Sequence, residues 1–412
     1  MVSHIRLGLI ADDLTGTLDT GVQFTQKGLL TLVPFKFSPS FQDIPVLGLN
    51  SNTRHSSAEM AYKRVRQLCR RLKGRILYKK IDSTLRGNVA REVMAMLDES
   101  CLSKAVLAPA FPTQGRTLED GILKFYGTPF HLTHYQKEFS PPLETSFIPD
   151  FIKREIGESI GHIDRRGLAG GASFLAGRIL EAKERIVLID TYEPQDLHTI
   201  GQAWWTFLKE RALICGSAGL AKEIEINGSA VPENRFRIKR TELPFLLVSG
   251  SRHQKTLEQL KRAIDEFHFP VIEPDIKEFV HPVRCSQEVR RVIKHLSQTL
   301  SDHKGVILST SFQEAIPGQG EIVSTNLGKV VAGILRRQHL SSLILSGGDI
   351  AMEVCGRLKS TAMRIESEIL QGIPLSSLTD GPCKGLNIVT KGGGLGEPDA
   401  FVKVIQFLSL SE

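Results

Sequence analysis

At 412 residues the chain is too long for one average domain and long enough for two cores, and 41% hydrophobic with 24% charged residues excludes a disordered or fibrous chain. A formal charge of +7, from 52 Lys and Arg against 45 Asp and Glu, is too dilute for a nucleic-acid binder but suits small anionic ligands such as nucleotides and carboxylates. The six cysteines, Cys69, Cys101, Cys215, Cys285, Cys355 and Cys383, form no C-x-x-C pair, so neither a zinc site nor a disulfide framework is indicated.

Short apolar runs alternate with helix-period segments through the first half, the pattern of an α/β layer architecture with a largely parallel sheet. Predicted strands are Ile5–Ala11, Leu30–Pro34, Val46–Asn50, Ile76–Ile81, Ala105–Ala108 and Ile186–Ile189. The opening Met1–Arg6 runs into the first strand without the apolar stretch of a signal peptide, and no apolar run approaches the roughly 20 residues of a membrane span. A reducing cytoplasm is the expected location. The first strand ends in Asp12-Asp13-Leu14-Thr15-Gly16-Thr17, two carboxylates and two hydroxyls at the top of a sheet. Such carboxylates cost several kcal/mol to bury unless they are paired, so their density points to a polar ligand, with one of the two expected to cap the following helix. Beyond Asn50 comes Arg54, whose guanidinium can fork onto a substrate carboxylate. Ser56 and Glu59 then have capping-box spacing, and Lys63–Arg75 reads as an amphipathic helix with a solvated basic face. Alternation along the Ile76–Ile81 strand sends Lys80 and Asp82 to one side, with Ser83 and Thr84 in the loop beyond and Arg86 after them. A cation, a carboxylate and two hydroxyls suit a small polyhydroxy acid. The proline-broken loop Ala108–Thr117 adds a further cation, Arg116.

Residues 227–243 are polar, basic and broken by Gly228 and Pro232, which reads as a linker between domains spanning 1–226 and 244–412. The α/β pattern then restarts with predicted strands Phe245–Ser249, Val306–Ser309, Leu343–Ser346 and Asn387–Thr390. Three of them run into glycine: Ser249-Gly250-Ser251, Ser346-Gly347-Gly348-Asp349 and Lys391-Gly392-Gly393-Gly394. Glycine at a strand's carboxyl end lets a phosphate approach the backbone N–H groups. None of the three matches the P-loop or the dinucleotide fingerprint, so a nucleotide site here is of another type.

Six segments stand in an order that resembles the four-carbon acid sugar kinases. They are Asp12-Asp13-Leu14-Thr15-Gly16, the run from Lys80 through Asp82-Ser83-Thr84-Leu85-Arg86-Gly87, the loop from Pro109 to Thr117, Gly216-Ser217-Ala218-Gly219-Leu220-Ala221, Ser249-Gly250-Ser251 and Gly347-Gly348-Asp349. The resemblance covers nearly the whole chain. It implies two α/β domains with largely parallel sheets and an interdomain active-site cleft, the N-terminal domain taking the sugar acid and the C-terminal one ATP. Members of that family convert D-threonate, D-erythronate, L-threonate or 3-oxo-tetronates to 4-phosphates in the catabolism of carbohydrate acids. Two departures stand out: Ile350 where the family usually has Thr, and Lys391-Gly392-Gly393-Gly394 where it has lysine, serine, glycine and asparagine.

Phosphoryl transfer asks the protein mainly to align donor and acceptor and to neutralise charge, so ATP with Mg2+ is expected. Arg54 and Lys80 are expected on the substrate carboxylate and Asp12, Asp82, Ser83 and Thr84 on its hydroxyls, with Asp13, Arg86 and Arg116 completing the set. Asp12, then Asp82, is the expected proton acceptor. Ser249, Ser251, Ser346, Gly347, Gly348, Asp349, Lys391, Gly392, Gly393 and Gly394 are expected on the nucleotide, and no metal ligand is assigned. The expected partner is a small-molecule sugar acid, with neither nucleic acid nor membrane; homodimerisation is left open. Two rivals exist. Asp13-Leu14-Thr15-Gly16-Thr17-Leu18 also resembles the nucleophilic-aspartate loop of haloacid-dehalogenase-type phosphatases, with Asp349 and Glu353 as its metal acids, and a non-catalytic ligand-binding module would keep the site without turnover.

Overall fold

The computed structural model describes residues 5–138, 144–226 and 243–410, so all of the expected linker except Leu243 lies outside the described residues. The chain divides into two compact units, one of Met1–Thr31 with Ser40–Val231 and the other of Leu32–Pro39 with Pro232–Glu412. The short segment Leu32–Pro39, which the expected boundary assigns to the first half, thus groups with the second.

In chain order the first part of the molecule runs β1 (Leu7–Ala11), α1 (Leu14–Thr25), β2 (Thr31–Pro34), β3 (Val46–Asn50), α2 (Ala58–Arg71), β4 (Ile76–Lys80), α3 (Val89–Glu99) and β5 (Lys104–Ala108). A small antiparallel sheet follows, of β6 (Arg116–Glu119), β7 (Ile122–Phe125) and β8 (Thr128–Pro129). Then come α4 (Ile148–Ile156), β9 (Gly161–Ile163), α5 (Gly171–Glu181), β10 (Ile186–Ile189), α6 (Pro194–Ala203), β11 (Ala212–Gly216) and α7 (Ala218–Glu223). The strands of the main sheet lie in the order β3-β1-β4-β11-β5-β10-β9, all parallel. Strands buried on both faces read as continuous apolar runs, which is why Leu7–Ala11 and Ile186–Ile189 are buried at every position. One face packs Leu7, Leu9, Val106 and Val187 against Phe24 of α1, Leu175 of α5, Ile200 of α6 and Leu220 of α7. On the other face Leu72, just past α2, lies against Gly8. Ser57, and not Ser56, caps α2, its hydroxyl accepting from Met60 N–H. The basic face of α2 is partly paired, with Arg66 and Arg70 both on Glu99.

The second unit continues as β12 (Phe245–Ser249), α8 (Gln254–Phe267), β13 (Val271–Ile272), α9 (Ile276–Val280), α10 (Cys285–Asp302), β14 (Gly305–Ser309), α11 (Gly320–Leu335), β15 (Ser342–Ser346) and α12 (Gly348–Arg357). It ends with β16 (Ala362–Leu370), β17 (Ile373–Leu378), β18 (Asn387–Lys391) and α13 (Ala400–Leu410). Its sheet runs β13-β14-β12-β15-β18-β17-β16-β2. The first five strands are parallel, whereas β17 runs antiparallel to both β18 and β16. Strand β2 borders β16, and Phe35 N–H donates to Thr361 O at 2.9 Å. Leu260 and Ala263 of α8 and Phe401, Val404 and Ile405 of α13 fill the core over one face. In both units the parallel strands' carboxyl ends carry the polar segments singled out from the sequence.

Candidate active site

The sugar-acid candidates converge at the carboxyl ends of β1, β3 and β4. Asp13 caps α1, accepting from Gly16 N–H at 2.7 Å and from the Thr15 hydroxyl at 2.9 Å, as expected of one of the pair. Asp12, only 3% exposed, receives Arg54 through two parallel bonds, Nε to Oδ2 at 2.8 Å and Nη2 to Oδ1 at 2.9 Å. Arg54 Nη1 reaches Asp13 Oδ2 at 2.5 Å, and Nη2 stands 3.9 Å from Asp82. Asp82 is gripped by Arg86 on both oxygens at 3.0 Å, and by the Thr84 hydroxyl. Burial pushes the Asp12 and Asp82 carboxyls up, but the neighbouring cations outweigh it and hold both below their ordinary values, Asp82 well below. These carboxylates therefore stay ionised, each with a guanidinium on two oxygens.

That geometry gives Arg54 a role that the sequence did not show. The fork expected to meet a substrate carboxylate is already closed on Asp12, so Arg54 is foremost the counter-ion of the aspartate pair. Removing it would strand buried carboxylates at a cost of about 3–5 kcal/mol. Lys80 and Arg116 are less engaged. Lys80 Nζ makes no hydrogen bond among the described residues and stands 4.0 Å from Asp19. Arg116 lies over the Phe125 ring and bonds Gln114 through Nη1, while its buried Nε has no partner among the described residues. Ser83 is half-buried beside Thr84.

Two groups were missed in the sequence. Asp19 sits on α1 with its side chain 17% exposed, its Oδ1 accepting from the Thr20 hydroxyl at 2.9 Å. Its signal was an acid in the middle of a helix whose other residues are mostly buried. Lys79, alternating to the opposite side of β4 from Lys80, pairs with buried Glu92 of α3 at 2.7 Å, and Glu92 also accepts from Thr53 at 2.6 Å. This buried pair ties the loop after β3 to α3 and β4 beneath the site.

In the second unit the loop after β18 is pinned from below by its carbonyls. Thr256 donates to Gly393 O at 2.7 Å, Lys391 Nζ to Gly392 O at 2.9 Å, and Gln259 Nε2 to Leu395, Gly396 and Glu397 O at 2.8–3.1 Å. With the carbonyls held inward, the Gly393 and Gly394 N–H groups make no hydrogen bond among the described residues. Such a run of free amides is an anion cradle. Gly393 allows this close packing, since a Cβ there would stand 2.6 Å from Ser251 Oγ. Gly347, at φ 116°, turns β15 into α12 in a conformation that side chains avoid, and places Gly348 and the exposed Asp349 in the first turn. Lys391 lies beneath the loop at 1% exposure, and burial pushes its ammonium down to about 7. Ser249 is buried against Ser311 at 2.9 Å, Ser251 donates to Thr256 at 3.2 Å, and buried Ser346 Oγ has no partner among the described residues. Ile350, where the resemblance expects Thr, is a core residue with its Cδ1 beside Gly250 and Gly347. Thr256 and Gln259 escaped the sequence reading; they are polar residues on the buried side of α8, with Leu260 and Ala263.

The residues of the phosphatase rival fall in both units: Asp13 belongs to the first as a helix cap, whereas Asp349 and Glu353 belong to α12 of the second, Glu353 paired with Arg357. Among the described residues no helix is long and apolar enough to cross a membrane.

Comparison with known proteins bears on both sites. Residues 7–224 match the sugar-binding N-terminal domain family and residues 246–401 the nucleotide-binding C-terminal domain family. The chain is 31% identical to the D-threonate kinase of Salmonella typhimurium, with 98% of each chain covered. It is 28% identical to the D-erythronate kinase of Heliobacterium modesticaldum, covering 97% of this chain and 96% of that one. With the 3-oxo-tetronate kinase of Methylobacterium radiotolerans the identity is 24%, over 98% and 100%. A crystal structure from Haemophilus influenzae shares the fold at a TM-score of 0.71 and 20% identity, over 97% of this chain and all of that one. With both halves matched by paired sugar-binding and nucleotide-binding domains, the chain belongs to the four-carbon acid sugar kinase family.

Proposed function

We propose that this enzyme transfers the γ-phosphate of ATP to the terminal 4-hydroxyl of a four-carbon sugar acid, D-threonate or D-erythronate, in the catabolism of carbohydrate acids. The observation that carries the reading is the charge arrangement at the ends of β1, β3 and β4. Ionised Asp12 and Asp82 are each locked by a guanidinium, which leaves Lys80 and half-buried Arg116, whose Nε has no partner among the described residues, as cations for a small carboxylate. Asp13, Ser83, Thr84 and the remaining lone pairs of Asp12 and Asp82 would then receive and orient the hydroxyls of the chain. The kinases of threonate and erythronate that match over the whole length support the substrate class.

The glycine loop after β18 and the turn at Gly347-Gly348 would hold the nucleotide's phosphates through backbone N–H groups, with Ser249, Ser251 and Ser346 at the neighbouring strand ends. Lys391 would act from beneath, holding the loop's carbonyls away from the phosphates. Magnesium usually keeps several waters and takes one or two protein carboxylates besides the phosphates. Asp349, exposed at the start of α12, fits that need, and no larger group of metal-binding side chains exists among the described residues. When bound, the ion would neutralise phosphate charge.

ADP release measured over a panel of sugar acids tests the reading. Turnover is expected with D-threonate or D-erythronate and not with five- or six-carbon acids. No ADP with any four-carbon acid, although they bind, would contradict it in favour of a binding module.

A further inference from the structure

Four carboxylates gather around Lys80 and Arg54, and in three of them both oxygens already accept hydrogen bonds. Asp12 holds Arg54 on both oxygens, Asp13 caps α1 while binding Thr15 and Arg54, and Asp82 holds Arg86 on both oxygens besides Thr84. The fourth, Asp19, differs. Its Oδ1 accepts from Thr20 and faces Lys80, and its Oδ2 receives no hydrogen bond among the described residues. We propose that Asp19, and neither Asp12 nor Asp82, accepts the proton of the substrate hydroxyl through Oδ2.

This assignment rests on the sugar-acid kinase reading. In the step it describes, the substrate O–H bond breaks as that oxygen bonds to the γ-phosphorus. The bond from the γ-phosphorus to the bridging oxygen breaks, its electron pair leaving with ADP. The proton moves to Asp19 Oδ2 and later to solvent. Lys80 serves both ends of the exchange, facing the carboxylate that takes the proton and offering its charge to the anionic substrate. A base works best when its affinity for protons lies near the working pH. Burial raises the Asp19 carboxyl to about 6, opposed by Lys80 and Arg54 and reinforced by Asp13, whereas Asp12 and Asp82 are held below the ordinary range. The groups acting on Asp19 are Asp13 and Thr20 on α1, Lys80 on β4 and Arg54 after β3, and Tyr78 on β4 also senses its charge.

The test compares full-length wild type, Asp19→Asn and Asp19→Glu with ATP and the sugar acid that wild type turns over best. Asp19→Asn should lose about 100-fold or more in kcat while its calorimetric affinity for the sugar acid stays within about threefold. Wild-type kcat/KM should fall on the acid side of about pH 6. That limb should vanish from the residual activity of Asp19→Asn, and Asp19→Glu should restore part of the rate. Wild-type kcat in Asp19→Asn, or an unchanged acid limb there, overturns the assignment. So does a wild-type profile without an acid limb between about pH 5 and 7, which can be read whether or not the variants fold. If wild type turns over no sugar acid, the kinase reading itself falls and takes the assignment with it, an outcome distinct from a turning-over wild type with an indifferent Asp19.

Discussion

At the scale of single residues, the site stores a charge that the fold disfavours. Asp19 is raised from the ordinary 3.8 to about 6 chiefly because it is buried. The folded state therefore binds its proton more tightly than the unfolded state does. Its contribution to stability is present below 3.8 and is lost as pH rises through about 6. A displacement of that size corresponds to at most about 3 kcal/mol. Asp19→Asn should thus be more stable than wild type at pH 7.5, with the difference closing as pH falls through 6 and gone near 4. Urea unfolding at the two ends of that range checks it; an Asn variant less stable at pH 7.5 would mean that the carboxylate is well solvated or well paired. Loss of turnover together with a gain in stability is what a functional carboxylate held at a cost should show. The sequence made Asp12, Asp13, Lys80 and Asp82 legible because strand ends concentrate them. It could not show that Arg54 closes on Asp12, since no spacing reveals which of several acids a guanidinium meets.

At the scale of elements, the loop after β18, proposed to hold the nucleotide, packs so closely that a single methyl group would disturb it. A Cβ on Gly393 would meet Ser251 Oγ at 2.6 Å and His253 Cβ at 3.4 Å, so either the Ser251 hydroxyl must turn away or the loop must shift. Gly393→Ala is expected to raise KM for ATP roughly tenfold, about 1.4 kcal/mol, within the range of a small overpacking cost. Sugar-acid affinity, measured by calorimetry, should not change; a variant with wild-type KM for ATP would place the phosphates elsewhere. Buried parallel strands were the most legible elements, and Val46–Asn50, Ile186–Ile189 and Phe245–Ser249 match their predicted limits. Strand β16 was not legible because its sequence, AMRIESEIL, mixes charged residues into a half-exposed antiparallel strand. Strand β13, only two residues long, carries too little pattern to read.

At the scale of the whole molecule, the acid cluster belongs to one compact unit and the glycine turns to the other. The grouping of Leu32–Pro39 with the second unit was invisible in the sequence, because an apolar strand carries no mark of the sheet edge it will join. The proposed function gives acceptor chemistry to one unit and donor chemistry to the other, and the product records whether they act together. The most direct measurement is the identity of that product by phosphorus–proton correlated NMR, after incubation of the enzyme with ATP, Mg2+ and D-threonate or D-erythronate. The account predicts a new phosphate ester coupled to the two protons on C4, formed in step with ADP. Inorganic phosphate in its place, or an ester coupled to a single proton on C2 or C3, would contradict it.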